Sequence, residues 1–367
     1  MSCLLFRWTK SLALAAGTVT TTLCLAAASR AEPAAIEDGL IFQASPDAGG
    51  TSHADNEINF IGRWKPKSDG PSGSNSFYWW LQNATTLGSV TTGDFQEILG
   101  ILSPPDGGDT GPEQSITRLQ HLAWEWKPEG DRFRLEIGKL TTRVLLNQNR
   151  YAAGDREDFF TPMVVNNPVT PYTARAGLGA FTQVRSDDWY LSLFVRAPDT
   201  EDWISFDALG RGDSEYAAEF ALTPNIAGIG SGNYRFTYHY SEDIPTLLQP
   251  AGGNIALSFD QDLGTQYGAF FRYTYADNAF RAFKQRLAAG FQKKGVFRWP
   301  DDRLGLAFWW GDTKVANFDD ELGLEVFWRM QMTRTLQVSP DLQVIFNPAK
   351  SDDEVVTIFG LRARTLF

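Results

Sequence analysis

Alternation of period two runs through most of the chain and constrains its fold more than any other feature. Near the C-terminus, Leu322, Leu324 and Val326 share one face of a segment, while Glu321 and Glu325 share the other. Successive side chains of a β-strand point to opposite faces, so this segment predicts a strand with one apolar and one charged face. A β-sandwich core cannot hold the charged face, whereas the wet interior of a membrane barrel can. The pattern predicts an all-β fold, a transmembrane antiparallel β-barrel.

The alternating segments number about 16, and an even number is typical of bacterial single-chain outer-membrane barrels. One predicted strand, 335–346, contains Pro340, which has no backbone N–H to donate. We therefore expect a bulge or a missing hydrogen bond there. The last strand is predicted to turn Phe359 and Phe367 toward lipid and Arg362 and Arg364 toward the lumen. The predicted strands are 38–45, 57–64, 76–87, 116–126, 132–140, 175–184, 188–197, 215–221, 233–240, 254–260, 265–275, 284–293, 303–310, 321–332, 335–346 and 354–367.

The connections between these strands alternate in length, which predicts their orientation. Short turns, such as 127–131 and 185–187, are expected at the periplasmic end of the barrel. Long loops are expected outside the cell. The predicted long loops lie near 88–115, 141–174, 198–214 and 241–253.

Residues 1–31 have the pattern of a cleavable signal peptide. Arg7 and Lys10 precede an uncharged apolar stretch, and Ser29 and Ala31 are small residues at the positions that a signal peptidase reads. The apolar stretch, about 15 residues long, is short for a transmembrane helix, which needs about 20. We therefore expect residues 32–367 to form one barrel domain in the bacterial outer membrane.

The charge and cysteine content of the remaining chain exclude several classes of protein. Without Arg7, Lys10 and Arg30, 33 basic residues become 30, against 44 acidic residues, so the net charge is −14. Such a chain does not attract nucleic acid through its overall field. Cys3 and Cys24 both lie in the predicted signal peptide, so neither a disulfide nor a cysteine metal site is expected. We predict no metal site and no cofactor.

Several stretches from about residue 130 onward resemble the carbohydrate-selective porin family of the OprB type. The resemblance implies a 16-stranded porin for sugars, in agreement with the strand count made from alternation alone. In general porins, the loop that follows the fifth strand folds into the lumen, which implies the same for residues 141–174. The stretches that carry the resemblance are LEIGKLTTRVLLNQNRYA (135–152), FFTPMVVNNP (159–168), GLGAFTQVRSDDWYLSLFV (177–195), DDRLGLAFWW (301–310) and SPDLQVIFNPAKSDDEVVTIFGLRARTLF (339–367).

The 141–174 loop has an unusual composition and is the predicted constriction. Sugars are neutral and hydroxylated, so their recognition needs hydrogen-bond donors, acceptors and an aromatic face. The loop and the adjoining strand offer all three. An alternative is that the loop is folded for packing, with Phe159 and Phe160 as its apolar anchor. The predicted pathway residues are Arg143, Asn147, Asn149, Arg150, Tyr151 and Asp155 in the loop and Arg132, Arg134 and Glu136 on the predicted strand wall.

Arginines recur on the predicted lumen face and leave two interpretations open. They could line an anion- or phosphate-preferring pore, or they could pair with lumen carboxylates such as Glu136, Glu321 and Glu325. These arginines are Arg132, Arg134, Arg235, Arg272, Arg303, Arg329, Arg362 and Arg364.

Catalysis is the other class of function to weigh. Beyond the signal peptide the only histidines are His53, His121 and His239, without a nucleophile motif around them, and the paired aspartates fall at predicted turns. We therefore expect a channel and not an enzyme, although an outer-membrane hydrolase is a third hypothesis. The expected function is sugar-preferring passive diffusion of small carbohydrates, with outer-membrane lipid around the barrel and either a monomer or a homotrimer as the assembly.

Overall fold

The computed structural model describes residues 35–66, 73–108, 114–128, 130, 132–167, 169, 176–277, 282–297, 299–314 and 318–367, with the backbone of residues 30 and 31. The rest of the predicted signal peptide lies outside the described residues. Within the described residues, no helix is long and apolar enough to cross a membrane.

Sixteen long antiparallel strands form one sheet that closes on itself, which confirms the predicted fold and strand number. The first strand pairs with the last, from Glu37 opposite Leu366 to Ala44 opposite Phe359. Closure gives every strand two neighbours, so no edge is left unpaired. The strands are β1 (Ala35–Ala44), β2 (Ser52–Lys65), β3 (Ser74–Thr86), β4 (Ser115–Lys127), β5 (Phe133–Leu140), β6 (Gly177–Arg185), β7 (Trp189–Pro198), β8 (Glu215–Leu222), β9 (Gly230–Ser241), β10 (Gly252–Leu263), β11 (Tyr267–Ala276), β12 (Phe283–Lys294), β13 (Arg303–Thr313), β14 (Glu321–Gln331), β15 (Leu336–Phe346) and β16 (Val355–Leu366).

Two further pairs of residues extend this sheet. Arg30–Ala31 pairs with the end of β2, and Asn225–Ile226 pairs with the start of β9.

Apolar side chains cover the outer face of the sheet and polar side chains its inner face, which is the reverse of a soluble protein. Leu322, Leu324 and Val326 of β14 are exposed on the outside, whereas Glu321 and Glu325 are fully buried inside. An apolar outer belt around a polar interior is what a barrel in lipid requires. The outward and inward positions of the last strand also agree with the predicted phase, since Phe359 and Leu361 are exposed and Arg362 and Arg364 are buried.

The connections are arranged as predicted, with short turns at the end that holds Ala35 and Leu366 and most of the long loops at the other end. Pro340 interrupts the ladder between β14 and β15, where Phe327 pairs with Asp341 and the next pair is Met330 with Val338. The register is unchanged on either side, so the irregularity is a missing pairing and not a bulge. A true bulge occurs in β4, where Gln120 is the extra residue opposite β3.

Three short α-helices lie in the long connections: α1 (Thr92–Ile98), α2 (Pro162–Val165) and α3 (Asp207–Arg211). A capping box starts α1, in which hydrogen bonds from Thr91 lower the pKa of the Asp94 carboxyl. We define L2 as residues 87–114 and L3 as residues 141–176. The described residues of both loops fold into the lumen from the outer end of the barrel. The prediction placed 88–115 at that end correctly but did not include its inward folding, which lets its apolar residues join a core inside the barrel.

Candidate functional site

The lumen contains an apolar core in which L2 and L3 pack against the inner wall. Phe159 and Met163 of L3 are fully buried, and the Phe159 ring lies 4.8 Å from that of Phe327 and 5.6 Å from that of Phe270. The predicted anchor position of Phe159 and Phe160 agrees with this packing. Inward glycines make room for it, since a Cβ at Gly305 would lie 2.9 Å from Phe159 and closer still to Phe327.

Four wall arginines hold L3 by donating to its backbone carbonyls. Arg272 donates to Asn147 at 2.8 Å and Arg286 to Asn166 at 2.8 Å. The irregular backbone of L3 has few partners of its own, and a buried carbonyl without a donor is unfavourable. The main role of these four arginines is therefore to hold L3. They neither line the pore as free anion-binding groups nor act mainly as partners of lumen carboxylates. The other two such contacts are Arg329 to Glu157 at 2.8 Å and Arg362 to Asp158 at 2.9 Å.

Two buried glutamates of β14 hold the loops by accepting backbone N–H groups. Glu321 accepts from Leu102 at 2.7 Å and Ser103 at 2.8 Å, both in L2, and from Ala349 at 2.9 Å. Glu325 accepts from Phe160 and Thr161 of L3. The expectation that these carboxylates pair with lumen arginines is therefore wrong. Backbone amides satisfy them where the loops press against the wall.

The predicted pathway residues of L3 are buried to different degrees against β8–β11. Asn147 has a left-handed φ of 53° and donates its N–H to Glu219 at 2.6 Å. Asn149 donates to the Ser258 hydroxyl at 3.1 Å. Both asparagines are buried, so their main contribution is to fix the loop.

Arg150 and Tyr151 attach L3 to two aspartates of β10. Arg150 contacts Asp260 at 2.5 Å and Asp262 at 3.1 Å, and the Tyr151 hydroxyl donates to Asp262. Burial and the neighbouring Asp262 raise the pKa of Tyr151, so the phenol stays protonated and donating. Partial burial lowers the pKa of Arg150, but the hydrogen bond to Asp260 and the charge of that carboxylate outweigh burial, so the pKa lies above its usual value. The Arg150 side chain keeps about a third of its surface exposed.

The remaining predicted residues divide by location. Asp155 is buried against L2. Its carboxylate lies so close to Gly107 that a Cβ at that position would overlap it. Arg143 is half-buried in the single turn Thr142–Val144 at the start of L3. Arg132 lies in the turn before β5, with 72 % of its side chain exposed and Asp187 at 3.7 Å. Its predicted place on the lumen face is therefore wrong, because the strand begins after it.

Arg134 and Glu136 belong to a charged and aromatic cluster on the wall formed by β2–β5. Arg134 contacts Glu125 at 2.9 Å, and His121 lies 3.2 Å from Glu136. Arg63 also pairs with Glu125 and lies over the ring of Tyr78 at 5.4 Å. About a quarter of the Arg63 and Arg134 side chains is exposed. We call Arg63, Tyr78, His121, Glu125, Arg134 and Glu136 the wall cluster.

A second polar network continues around the wall. Tyr190 donates to Glu219 at 2.9 Å and accepts from Arg235 at 3.0 Å, while Arg235 contacts Asp260 at 2.6 Å. Asp260 in turn binds Arg150 of L3. The sequence identified the strands but missed Arg63, Tyr78 and Tyr190, because their partners lie on other strands. The alternation of each strand places these three residues on its lumen-facing side, and that position could have identified them.

Comparisons with known proteins agree with this architecture. Residues 251–367 match the family described as carbohydrate-selective porin, OprB family. This match covers about the C-terminal third of the chain. The matched residues span all of β10–β16 and so include Arg272, Arg286, Glu321 and Glu325, which hold the loops. No curated protein sequence matches the chain.

Solved porin structures share the fold of this chain. The high-pH structure of Pseudomonas putida OprB superposes with a TM-score of 0.75 at 13 % identity, covering 92 % of this chain and 94 % of that one. An anion-selective porin from Comamonas acidovorans gives 0.59 at 12 % identity, covering 93 % and 100 %. A porin variant of Rhodopseudomonas blastica gives 0.54 at 12 % identity, covering 91 % and 99 %.

Replacing Arg134 by glutamine should move the ion preference of the lumen toward cations. The change removes a partly exposed positive charge and leaves Glu125 and Glu136 less compensated. We expect the chloride-to-potassium permeability ratio to fall by about two-fold. Reversal potentials in a planar bilayer under a KCl gradient measure it. Arg132→Gln is the matched control, because that charge lies in solvent at the turn. An equal shift in both variants would contradict a role for the wall cluster.

Proposed function

We propose that this porin is a passive channel that lets small carbohydrates diffuse across the bacterial outer membrane and prefers them to amino acids of equal size. The wall cluster is the observation that carries the proposal. It presents hydrogen-bonding groups and an aromatic ring on the inner wall formed by β2–β5. The OprB-family match of residues 251–367 supports the same substrate class.

The charges of the wall cluster are compensated by one another. Arg63 and Arg134 both contact Glu125, and Glu136 contacts Arg134 and His121. Paired charges offer donors and acceptors to sugar hydroxyls while producing a weaker field than isolated charges. The ring of Tyr78 adds an apolar face for the C–H surface of a sugar. Several modest contacts of this kind favour passage over tight retention.

A general or anion-preferring porin is the competing function. The Comamonas acidovorans porin with a similar fold is described as anion-selective. In this chain, however, Arg272, Arg286 and Arg362 donate to L3 carbonyls, and Arg235 pairs with Asp260. These four side chains are buried and engaged by these partners, so they do not line the passage as free anion contacts. This favours the sugar channel.

We also propose that the protein is not an enzyme. The porin fold and family point to a channel, and His121 is engaged by Glu136 and by the ring of Tyr78 at 5.0 Å. Lipid or peptide turnover by the pure protein that is lost on substitution of His121 or His239 would contradict this.

We further propose that residues 1–31 are removed on export and that the exposed apolar belt contacts outer-membrane lipid.

Liposome swelling tests the proposed selectivity directly. Proteoliposomes are diluted into isotonic solutions of neutral monosaccharides or of amino acids of equal size, and initial swelling rates are compared. We expect the sugars to enter faster, because their hydroxyls match the paired donors and acceptors of the wall cluster. Equal rates for both solute classes would leave a general porin.

A further inference from the structure

One buried cluster joins L2 to the barrel wall and takes no part in the proposed sugar path. His53 and Asp55 point inward from β2, and Asp106 lies in L2. Their side chains are at most 4 % exposed. One potential ligand atom from each lies within 4.8 Å of the other two. No sequence pattern marked this cluster, because Asp106 is 51 positions from Asp55.

Each member of the cluster is already oriented through one of its polar atoms. Asp55 accepts from the Thr92 hydroxyl at 2.5 Å, and Asp106 accepts from the Gly108 N–H at 2.8 Å. His53 Nε2 lies 2.9 Å from the Gln43 side-chain oxygen. The three residues thus have partners of the kind that orient metal ligands in proteins, where a ligating imidazole donates its other N–H to an oxygen.

The other polar atom of each member has no hydrogen-bond partner among the described residues. These atoms are His53 Nδ1, Asp55 Oδ1 and Asp106 Oδ2. Buried polar atoms are rarely left in this state, so each calls for an explanation. Asp106 Oδ2 lies 3.4 Å from His53 Nε2, and Asp55 Oδ2 lies 3.8 Å from His53 Nδ1. A cation bound among the three side chains would compensate both carboxylates.

The charge around the cluster also favours a cation. Asp155 and Glu57 are buried nearby, and Arg156 contacts both of them, at 3.8 Å and 2.5 Å. Four buried carboxyl groups, those of Asp55, Glu57, Asp106 and Asp155, thus lie close to the Arg156 guanidinium. The Arg362 side chain donates to the backbone carbonyls of Asp155 and Asp158, and its charge lies near the Asp158 and Asp341 carboxyl groups. Buried charge of one sign is unfavourable unless it is paired or bound to a metal.

We propose that His53, Asp55 and Asp106 bind one divalent metal ion of the zinc class, which fastens L2 to β2. One imidazole with two carboxylates suits zinc or a similar borderline ion, whereas calcium takes oxygen ligands. Zinc ligands at about 2.0–2.1 Å lie roughly 3.4 Å from one another in a tetrahedral site, so small side-chain rotations close this cluster around an ion. Water would complete the coordination. The ion would make the position of L2, and so the width of the lumen, depend on metal.

Zinc binding to the folded full-length barrel in detergent tests this proposal. The protein is stripped with a chelator, dialysed and titrated with ZnCl₂ by calorimetry, and bound zinc is counted by mass spectrometry. We expect one ion per chain, with affinity reduced at least about ten-fold by His53→Gln and by Asp106→Asn. His239→Gln, which changes an inward-facing histidine on β9, should bind zinc as the unchanged protein does. Circular dichroism verifies that each variant retains its strands.

Three outcomes would overturn the zinc assignment. The first is the absence of a stoichiometric ion in the unchanged protein, which would favour a protonated His53 between the two aspartates. The second is equal zinc affinity in the unchanged protein and both ligand variants. The third is calcium binding tighter than zinc in a parallel titration. Hydrogen exchange adds an independent readout, since zinc should slow exchange at residues 92–108 and leave β9 unchanged.

Discussion

Phe159→Ala should both destabilise the barrel and widen its lumen. The ring is fully buried between Phe270 and Phe327, where its loss leaves a cavity. Truncating a buried phenylalanine to alanine costs about 3–5 kcal/mol. Much of that cost falls on the docking of L3, because Phe159 belongs to the loop while its partners belong to the wall. Single-channel conductance should therefore rise, and the unfolding midpoint in denaturant should fall.

Two control variants distinguish the release of L3 from a general loss of barrel stability. Phe206→Ala removes a ring that is 70 % exposed in the connection between β7 and β8, so neither conductance nor stability should change much. Phe159→Leu keeps most of the apolar volume and should give an intermediate loss of stability. If Phe159→Ala lowered stability while conductance stayed constant, L3 would not limit the passage.

The strands could be predicted from the sequence because their signal is local. Alternation of period two is read within a dozen residues, and the requirement for lipid on one face and water on the other applies to every strand. That is why Leu324 and Glu325 were placed on opposite faces correctly. The missing ladder bonds at Pro340 were predictable for the same reason, since the lack of an N–H is a property of the residue itself.

The arrangement inside the lumen depends on contacts between distant residues, and there the sequence was a poor guide. Arg272 binds the carbonyl of Asn147, 125 positions away, and no local pattern relates the two. The inward folding of L3 was expected only through the resemblance to a family. The inward folding of L2 was missed, although apolar residues in a long loop were a usable signal: Phe95, Leu99, Ile101 and Leu102 are all buried.

Glu321→Ala and Glu325→Ala should release different loops from the same strand. Glu321 accepts two L2 amides and the amide of Ala349, whereas Glu325 accepts two L3 amides. Removing either carboxylate leaves those buried N–H groups without an acceptor, at about 1–3 kcal/mol per group. We therefore expect each variant to lose several kcal/mol of unfolding free energy. Hydrogen exchange should rise at residues 99–106 in the first variant and at 158–165 in the second.

The double variant shows whether the two loops dock independently. Four residues along a strand separate the two side chains by about 13 Å, a distance at which effects usually add within about 0.5 kcal/mol. The loops nevertheless touch, since the Thr161 hydroxyl donates to the Pro104 carbonyl at 2.7 Å. If that contact and the shared apolar core couple them, the double variant should lose less than the sum of the single losses, because releasing one loop already loosens the other. Strict additivity would instead mean that each loop is held by the wall alone, and that L2 and L3 can open separately.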